Sequence, residues 1–479
     1  MMRYTASATL LLCLPGPSLA EPLSSAGYGM SQHWLGLLCL ATFALALLAV
    51  AFEEFIDLPK SKPMLLGAGI IWGLIGAYAH QTGSGSFAET AVRRSLLQYT
   101  ELMLFFLVVM TYINALAERR VFLALRAWVG QRRYSYRRIF WITGLSAFLL
   151  SPLLDNLSTA LLIGAIILNL ERDNRRFIAL ACIHIVVAAN AGGVFSPFGD
   201  ITTLMVWQQD ILTNNGRVGF FSFFQLFLPA LVNYLIPACC MHFALPEGRL
   251  SDLQEPIRMR RGAKRIMLLF LLTIATSVYF QWQLYLPGAL GVMTGLAYLQ
   301  FFGYFLKKTH RPASHRTVTT TESPDFSIVV EHRQPFDVFL RVARSEWDTL
   351  LFLCGVILSV GGLGYLGFLT IASQLLYAES ATTANITIGL ASALLENIPT
   401  MSVVLGMQPQ MSLGEWLLVT LSTGVGGSLL SIGSASGVAL MGHAKGKYTF
   451  FSHLRWTPAI ALGFAASIAC HLWLNARLF

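Results

Sequence analysis

Ser151-Pro152-Leu153-Leu154-Asp155-Asn156-Leu157-Ser158-Thr159 is echoed in the second half of the chain by Ser392-Ala393-Leu394-Leu395-Glu396-Asn397-Ile398-Pro399-Thr400. The shared pattern is S-x-L-L-[D/E]-N-[L/I]-x-T, and the two acids, at 155 and 396, are about half the chain apart. A second match follows each copy in the same order: Gly192-Gly193 then Gly199-Asp200, and Gly426-Gly427 then Gly433-Ser434. Two ordered matches point to an internal repeat. The acids stand alone. Asp155 is the only charge between Ile139 and Leu170, Glu396 the only one between Thr382 and Gly414, and Asp200 the only carboxylate between Phe177 and Gln209. An ionisable side chain inside an apolar, membrane-length run is costly and marks a functional site by default.

The surrounding sequence supports a membrane setting. Of 479 residues, 55% are hydrophobic and only 12% charged, against about 25% charged in soluble domains. Apolar stretches near the roughly 20 residues of a spanning helix recur over 33–52, 63–80, 101–118, 139–170, 177–212, 219–245, 266–282, 287–306, 348–366, 384–407, 413–442 and 452–475. This composition excludes a soluble enzyme, a disulfide scaffold and a disordered chain. The alternating ten-residue strands of an outer-membrane barrel are not seen. The fold class is an all-α polytopic membrane protein. The net charge of +9 belongs to basic loops and not to nucleic-acid binding, because no folded basic domain accompanies it. The seven cysteines, Cys13, Cys39, Cys182, Cys239, Cys240, Cys354 and Cys470, lie in apolar runs without ligand spacing and are read as small buried hydrophobes.

Orientation follows from Lys and Arg. Residues 119–138 hold seven arginines and no acid, and 171–176, 246–265 and 307–347 are also basic or begin so. The positive-inside rule places all four in the cytoplasm. Residues 139–170 then enter and leave on one side. This predicts a re-entrant hairpin with arms about 24 and 20 Å long at 1.5 Å per residue, each shorter than a roughly 30 Å hydrocarbon core. The same count opens the second hairpin, 384–407, to the outside. The expected organisation is therefore two inverted-topology repeats, each with a re-entrant hairpin and a broken helix. The N-terminal half runs from 33 to 306 (hairpin 139–170, broken helix 177–212). A cytoplasmic linker covers 307–347, with an interfacial helix expected near 335–346, and the C-terminal half covers 348–479 (hairpin 384–407, broken helix 413–442). Residues 1–20 have the outline of a signal peptide, either cleaved or retained.

Inverted repeats with broken helices meeting at mid-membrane are the mark of secondary transporters. Oxygen donors cluster at these breaks. The expected ion- and proton-binding residues are Asp155, Asn156, Thr159, Asn190, Ser196, Asp200, Thr202, Thr203, Glu396, Asn397, Thr400, Ser431 and Ser434, with Glu101 and Asp348 as secondary candidates at span ends. Hard cations take carboxylate, amide, hydroxyl and carbonyl oxygens. The paired glycines are expected to let the helices unwind. A carboxylate that holds either a proton or a metal cation, never both, gives obligatory exchange. Single Ser and Thr residues in spans more often join helices, and His184 is read as a packed core residue. No nucleotide-binding or hydrolase motif occurs, so neither a cofactor nor an enzymatic activity is expected.

Asp155 to Thr159, Asn190-Ala191-Gly192-Gly193-Val194-Phe195-Ser196-Pro197-Phe198-Gly199-Asp200-Ile201-Thr202-Thr203, Trp347 to Phe352, and Gly426-Gly427-Ser428 with Ile432 to Val438 resemble the NhaD-type sodium/proton antiporters of the ion transporter superfamily. The resemblance runs from about 33 to 475. It implies an inner-membrane homodimer that expels Na⁺ or Li⁺ against inward H⁺, with the metal ion at Asp155, Asp200 and Glu396. The same superfamily holds sodium-coupled dicarboxylate and arsenite carriers, which form the alternative reading. One departure stands out: the second hairpin of the family usually reads Asp-Asn, and here it reads Glu396-Asn397.

Overall fold

The computed structural model describes residues 31, 33–56, 58–130, 134–171, 173–249, 259–309, 342–343 and 345–479. The expected signal peptide over 1–20 lies outside them, as do most of the linker over 307–347 and most of the interfacial helix near 335–346. Among the described residues, nine helical segments are long and apolar enough to cross a membrane. The only sheet there is a two-stranded ribbon, Leu212–Thr213 against Gly216–Arg217. The protein is an all-helical polytopic membrane protein.

Two helices form its centre. In Arg175–Gly193 every residue from Phe177 onward except Ala179 is buried, and in Leu413–Gly426 every residue is buried. Both are mostly apolar on every side, as an enclosed helix must be, with a few buried polar residues such as Asn190 and Glu415. Each starts on a side-chain cap: Asn174 accepts from the Phe177 N–H, and Ser412 from the Glu415 N–H. Each stops at its glycine pair and resumes as a short helix, Ile201–Gln208 or Ala435–Ala444.

A pair of helices packs on each central helix. Tyr136–Leu154 and Asn156–Leu170 meet at Asp155, and Ala381–Leu395 and Asn397–Met407 meet at Glu396. The two halves interlock. Ala435–Ala444 lies on Asn156–Leu170, and Asn397–Met407 lies on Ile201–Gln208. Among the flanking helices, Ser61–Gln81 packs across the halves on Trp347–Tyr365, while Ala263–Gln283 and Gly288–Lys308 pack on Gly85–Glu118 within the N-terminal half.

Three details differ from the sequence reading. The span expected over 101–118 begins at Gly85, so Glu101 lies within a 34-residue helix and not at its end. Its polar first half contains Arg93 and Arg94, where an apolar run breaks off. Its buried residues Ala88, Ser95, Leu102, Phe105 and Val109 nonetheless recur at helical spacing. Second, Cys239 and Cys240 are exposed and Cys354 and Cys470 only partly covered. An apolar run supplies lipid-facing positions as well as core positions, and hydrophobicity alone does not separate them. Cys13 lies outside the described residues. Third, Gly192 and Gly426 are still helical. A Cβ on Gly192 would sit 2.3 Å from the Phe148 carbonyl oxygen, and one on Gly426 would sit 2.1 Å from that of Gly389. These glycines allow close helix crossing, and the helices end at Gly193 and Gly426, so the unwinding begins just beyond.

Candidate functional site

The two acids at the breaks have the same backbone. Asp155 has φ 64° and ψ 160°, and Glu396 has φ 63° and ψ 149°. Positive φ is uncommon for a residue with a side chain, and such strain collects at functional sites. Here it turns the chain sharply enough for one helix to end and the next to begin on the same residue.

The side chains at these turns diverge. Asp155 caps its own return helix, accepting from the Ser158 N–H at 2.8 Å and from the Ser158 hydroxyl at 2.8 Å. The position equivalent to Ser158 is Pro399, which has neither an N–H nor a hydroxyl. Glu396 therefore has no local cap. Its carboxylate instead accepts from the Lys60 ammonium at 2.8 Å.

Asp155, Asn156, Asp200 and Asn397 line one cavity of about 20 Å³, together with Phe106, Leu157, Ile201, Thr349, Ile398 and Ala435. That volume holds about one water molecule or an ion of similar size. Asp200 accepts from the Thr202 N–H at 3.1 Å, and Asn397 Nδ2 lies 3.3 and 3.2 Å from its two oxygens. Asn156, Ile201, Asn397 and Ala435 are the first residues of four different helices. Four helix N-termini thus face one small space. Alone they would favour an anion. Asp155 and Asp200 reverse that preference and leave a carboxylate-lined site suited to a hard cation or a proton.

Asn190 organises a second cluster. Its Nδ2 donates to Ser428 Oγ at 2.8 Å and to Ser434 Oγ at 3.0 Å, and its Oδ1 accepts from Ser436 Oγ at 2.8 Å. It ties the first central helix to the second broken segment. Ser434 also accepts from the Gly437 N–H, in the capping role that Asp200 plays in the first half. The hydroxyls of Thr159, Thr203 and Ser431 are buried without a hydrogen-bond partner among the described residues. Ser196 Oγ accepts from the Phe198 N–H, and Thr400 Oγ1 donates to the Glu396 carbonyl.

The remaining candidates lie apart from the small cavity. Glu396 lines an adjoining cavity of about 250 Å³ with Lys60 and Glu53. Asp348 accepts from the Ser61 hydroxyl. Glu101 lines neither cavity. His184 is stacked between Phe140 and Tyr234, ring centroids 3.7 and 5.3 Å away, as a packed core histidine should be. The sequence reading missed Lys60. It lies in a short polar stretch before a span, where a lysine looks like an ordinary boundary residue, and only the fold brings it to Glu396.

A buried carboxylate pair at the meeting point of four helix ends, inside a helical membrane protein, defines a secondary transporter of small ions. Comparison with known proteins agrees with that class. Residues 34–426 match the family model CitMHS, described as citrate transporter. The Na(+)/H(+) antiporter NhaD of Vibrio cholerae is 51% identical over 98% of this chain and 99% of its own length. The NhaD antiporter of Alkalimonas amylolytica is 52% identical over 98% and 97%, and that of Halomonas elongata 49% identical over 98% and 95%. The chain belongs to the CitMHS family and, within it, to the group of the NhaD antiporters.

Proposed function

We propose that this chain is a multi-pass inner-membrane Na⁺(Li⁺)/H⁺ antiporter, exporting sodium in exchange for protons that compete for the same buried carboxylates. The observation that carries this reading is the cavity of about 20 Å³ between Asp155 and Asp200, flanked by Asn156 and Asn397. It is large enough for one small ion and too small for a polyatomic substrate. The similarity to NhaD antiporters over nearly the whole chain supports it.

In this proposal Asp155 and Asp200 bind the ion or the proton, and Asn156 and Asn397 supply amide groups. Asn190 and Ser434 hold the broken segments in place. Thr159, Ser196, Thr202, Thr203, Thr400 and Ser431 furnish further oxygens as the site rearranges. The helix pairs meeting at Asp155 and Glu396 are re-entrant hairpins of two inverted repeats, and the protein works as a homodimer. The matched breaks, and the reciprocal packing of Ala435–Ala444 on Asn156–Leu170 and of Asn397–Met407 on Ile201–Gln208, support the repeat. The carrier of dicarboxylates or arsenite is the weaker reading, because two carboxylates in the small cavity repel an anion.

The test is a ΔpH probe in everted vesicles containing the protein. Adding Na⁺ or Li⁺ dissipates an imposed gradient if the proposal holds. Succinate uptake or arsenite resistance without that response would favour the anion carrier.

A further inference from the structure

Lys60 and Glu396 are 336 positions apart. Their ion pair is buried, each residue less than a tenth exposed, and the ammonium also sits 4.7 Å from the Phe352 ring centroid. A buried ion pair is expensive to desolvate and is weak evidence for stability alone, which makes a functional reason worth seeking. The local chemistry points to one. Pro399 removes the donors that hold Asp155 in the first copy, and the extra methylene of glutamate lets the carboxylate reach outward. Both departures from the first copy direct Glu396 to Lys60. Glu53 faces the same lysine, accepting from its N–H at 3.4 Å, and Ser61 beside it is held by Asp348. Leu157, Thr349 and Ala435 line both this cavity and the one between Asp155 and Asp200. One layer of residues therefore separates the ion pair from the proposed exchange site.

We propose that Lys60 is a positioning residue that serves as the resident counter-cation of the second break: its ammonium occupies Glu396, leaves Asp155 and Asp200 as the exchanging carboxylates, and sets their affinity for sodium by cancelling a neighbouring negative charge. The inference rests on the antiporter reading. It assigns Glu396 an electrostatic part in place of direct contact with the ion.

The experiment compares the wild type with Lys60→Gln, Glu396→Gln, the double variant and Lys60→Arg in everted vesicles, with rates normalised to protein in the membrane. One unpaired charge a single layer of residues away alters ion affinity by roughly threefold to tenfold. Measured on the alkaline side of the activity profile, where protons no longer compete, Lys60→Gln leaves an unpaired carboxylate and lowers the apparent KM for Na⁺ by that factor. Glu396→Gln leaves an unpaired ammonium and raises it similarly. The double variant and Lys60→Arg return it to within about twofold of wild type. A merely structural pair gives no such opposite shifts that cancel. If one single variant fails to accumulate, the other still decides, since the proposal fixes the direction of its shift in KM and requires the double variant to reverse it. A double variant as defective in Na⁺ binding as Glu396→Gln would make Glu396 a direct ligand and overturn the proposal, as would single variants with unchanged KM. A wild type without Na⁺-dependent exchange would sink the antiporter reading itself, a separate result.

Discussion

Asn397 directs its amide nitrogen at both carboxylate oxygens of Asp200, 3.3 and 3.2 Å away, across 197 positions of sequence. It joins the second break to the second half of the first broken helix and fixes the orientation of a proposed exchanging acid. Hydrogen bonds to charged groups contribute about 1.5–3 kcal/mol. Asn397→Ala is therefore expected to reduce Na⁺-dependent exchange by roughly tenfold to a hundredfold with near-normal protein levels, read from initial rates in vesicles. A rate within twofold of wild type would make the contact incidental.

The glycine crossings predict a stability effect. Gly192→Ala and Gly426→Ala each push a methyl group into a backbone carbonyl of the neighbouring helix. Overpacking of this kind costs about 1–3 kcal/mol, and thermal unfolding of the purified protein in detergent should show a lower midpoint for both. Gly69 has open space around the equivalent position, so Gly69→Ala should leave the midpoint unchanged.

Competition between ion and proton sets the sign of the pH dependence. A cation needs deprotonated carboxylates, so its affinity falls as protons become abundant. On the acid side of the activity profile the apparent KM for Na⁺ should rise by up to about tenfold per pH unit for each proton displaced, with the rate at saturating Na⁺ changing less. A KM independent of pH would mean that proton and sodium use different sites.

Glu396→Asp shortens the side chain by one methylene and draws the carboxylate away from Lys60. Transport should persist, with an apparent KM for Na⁺ displaced in the same direction as in Lys60→Gln. Adding Pro399→Ser restores the hydroxyl and N–H that cap Asp155 in the first copy, and should displace it further. An unchanged KM in both would show that the difference between the two breaks is neutral.

Much of this architecture was legible in the sequence because its signals are local. A lone Asp155 or Asp200 in an apolar run announces itself, and the repeated S-x-L-L-acid-Asn pattern places both turns to the residue. What could not be read was which acids share a space. Asp155 and Asp200 line one cavity while Glu396, equivalent to Asp155 in sequence, lines another. That outcome depends on Ser158 against Pro399 and on a lysine more than 300 residues away. Apolar composition likewise merges lipid-facing and core positions, so it predicts a buried Cys239 and Cys240 that the fold exposes.

The central claim, that Asp155 and Asp200 hold sodium and protons in turn, is tested most directly by the vesicle ΔpH assay on the wild type, Asp155→Asn and Asp200→Asn, with Na⁺, Li⁺ and K⁺ supplied in parallel. The account predicts that the wild type dissipates the gradient on adding Na⁺ or Li⁺, and that each variant accumulates in the membrane yet gives no response. Wild-type activity retained in both variants, or no wild-type response across roughly pH 6 to 9.5, the range in which shifted carboxylate and amine groups titrate, would contradict it.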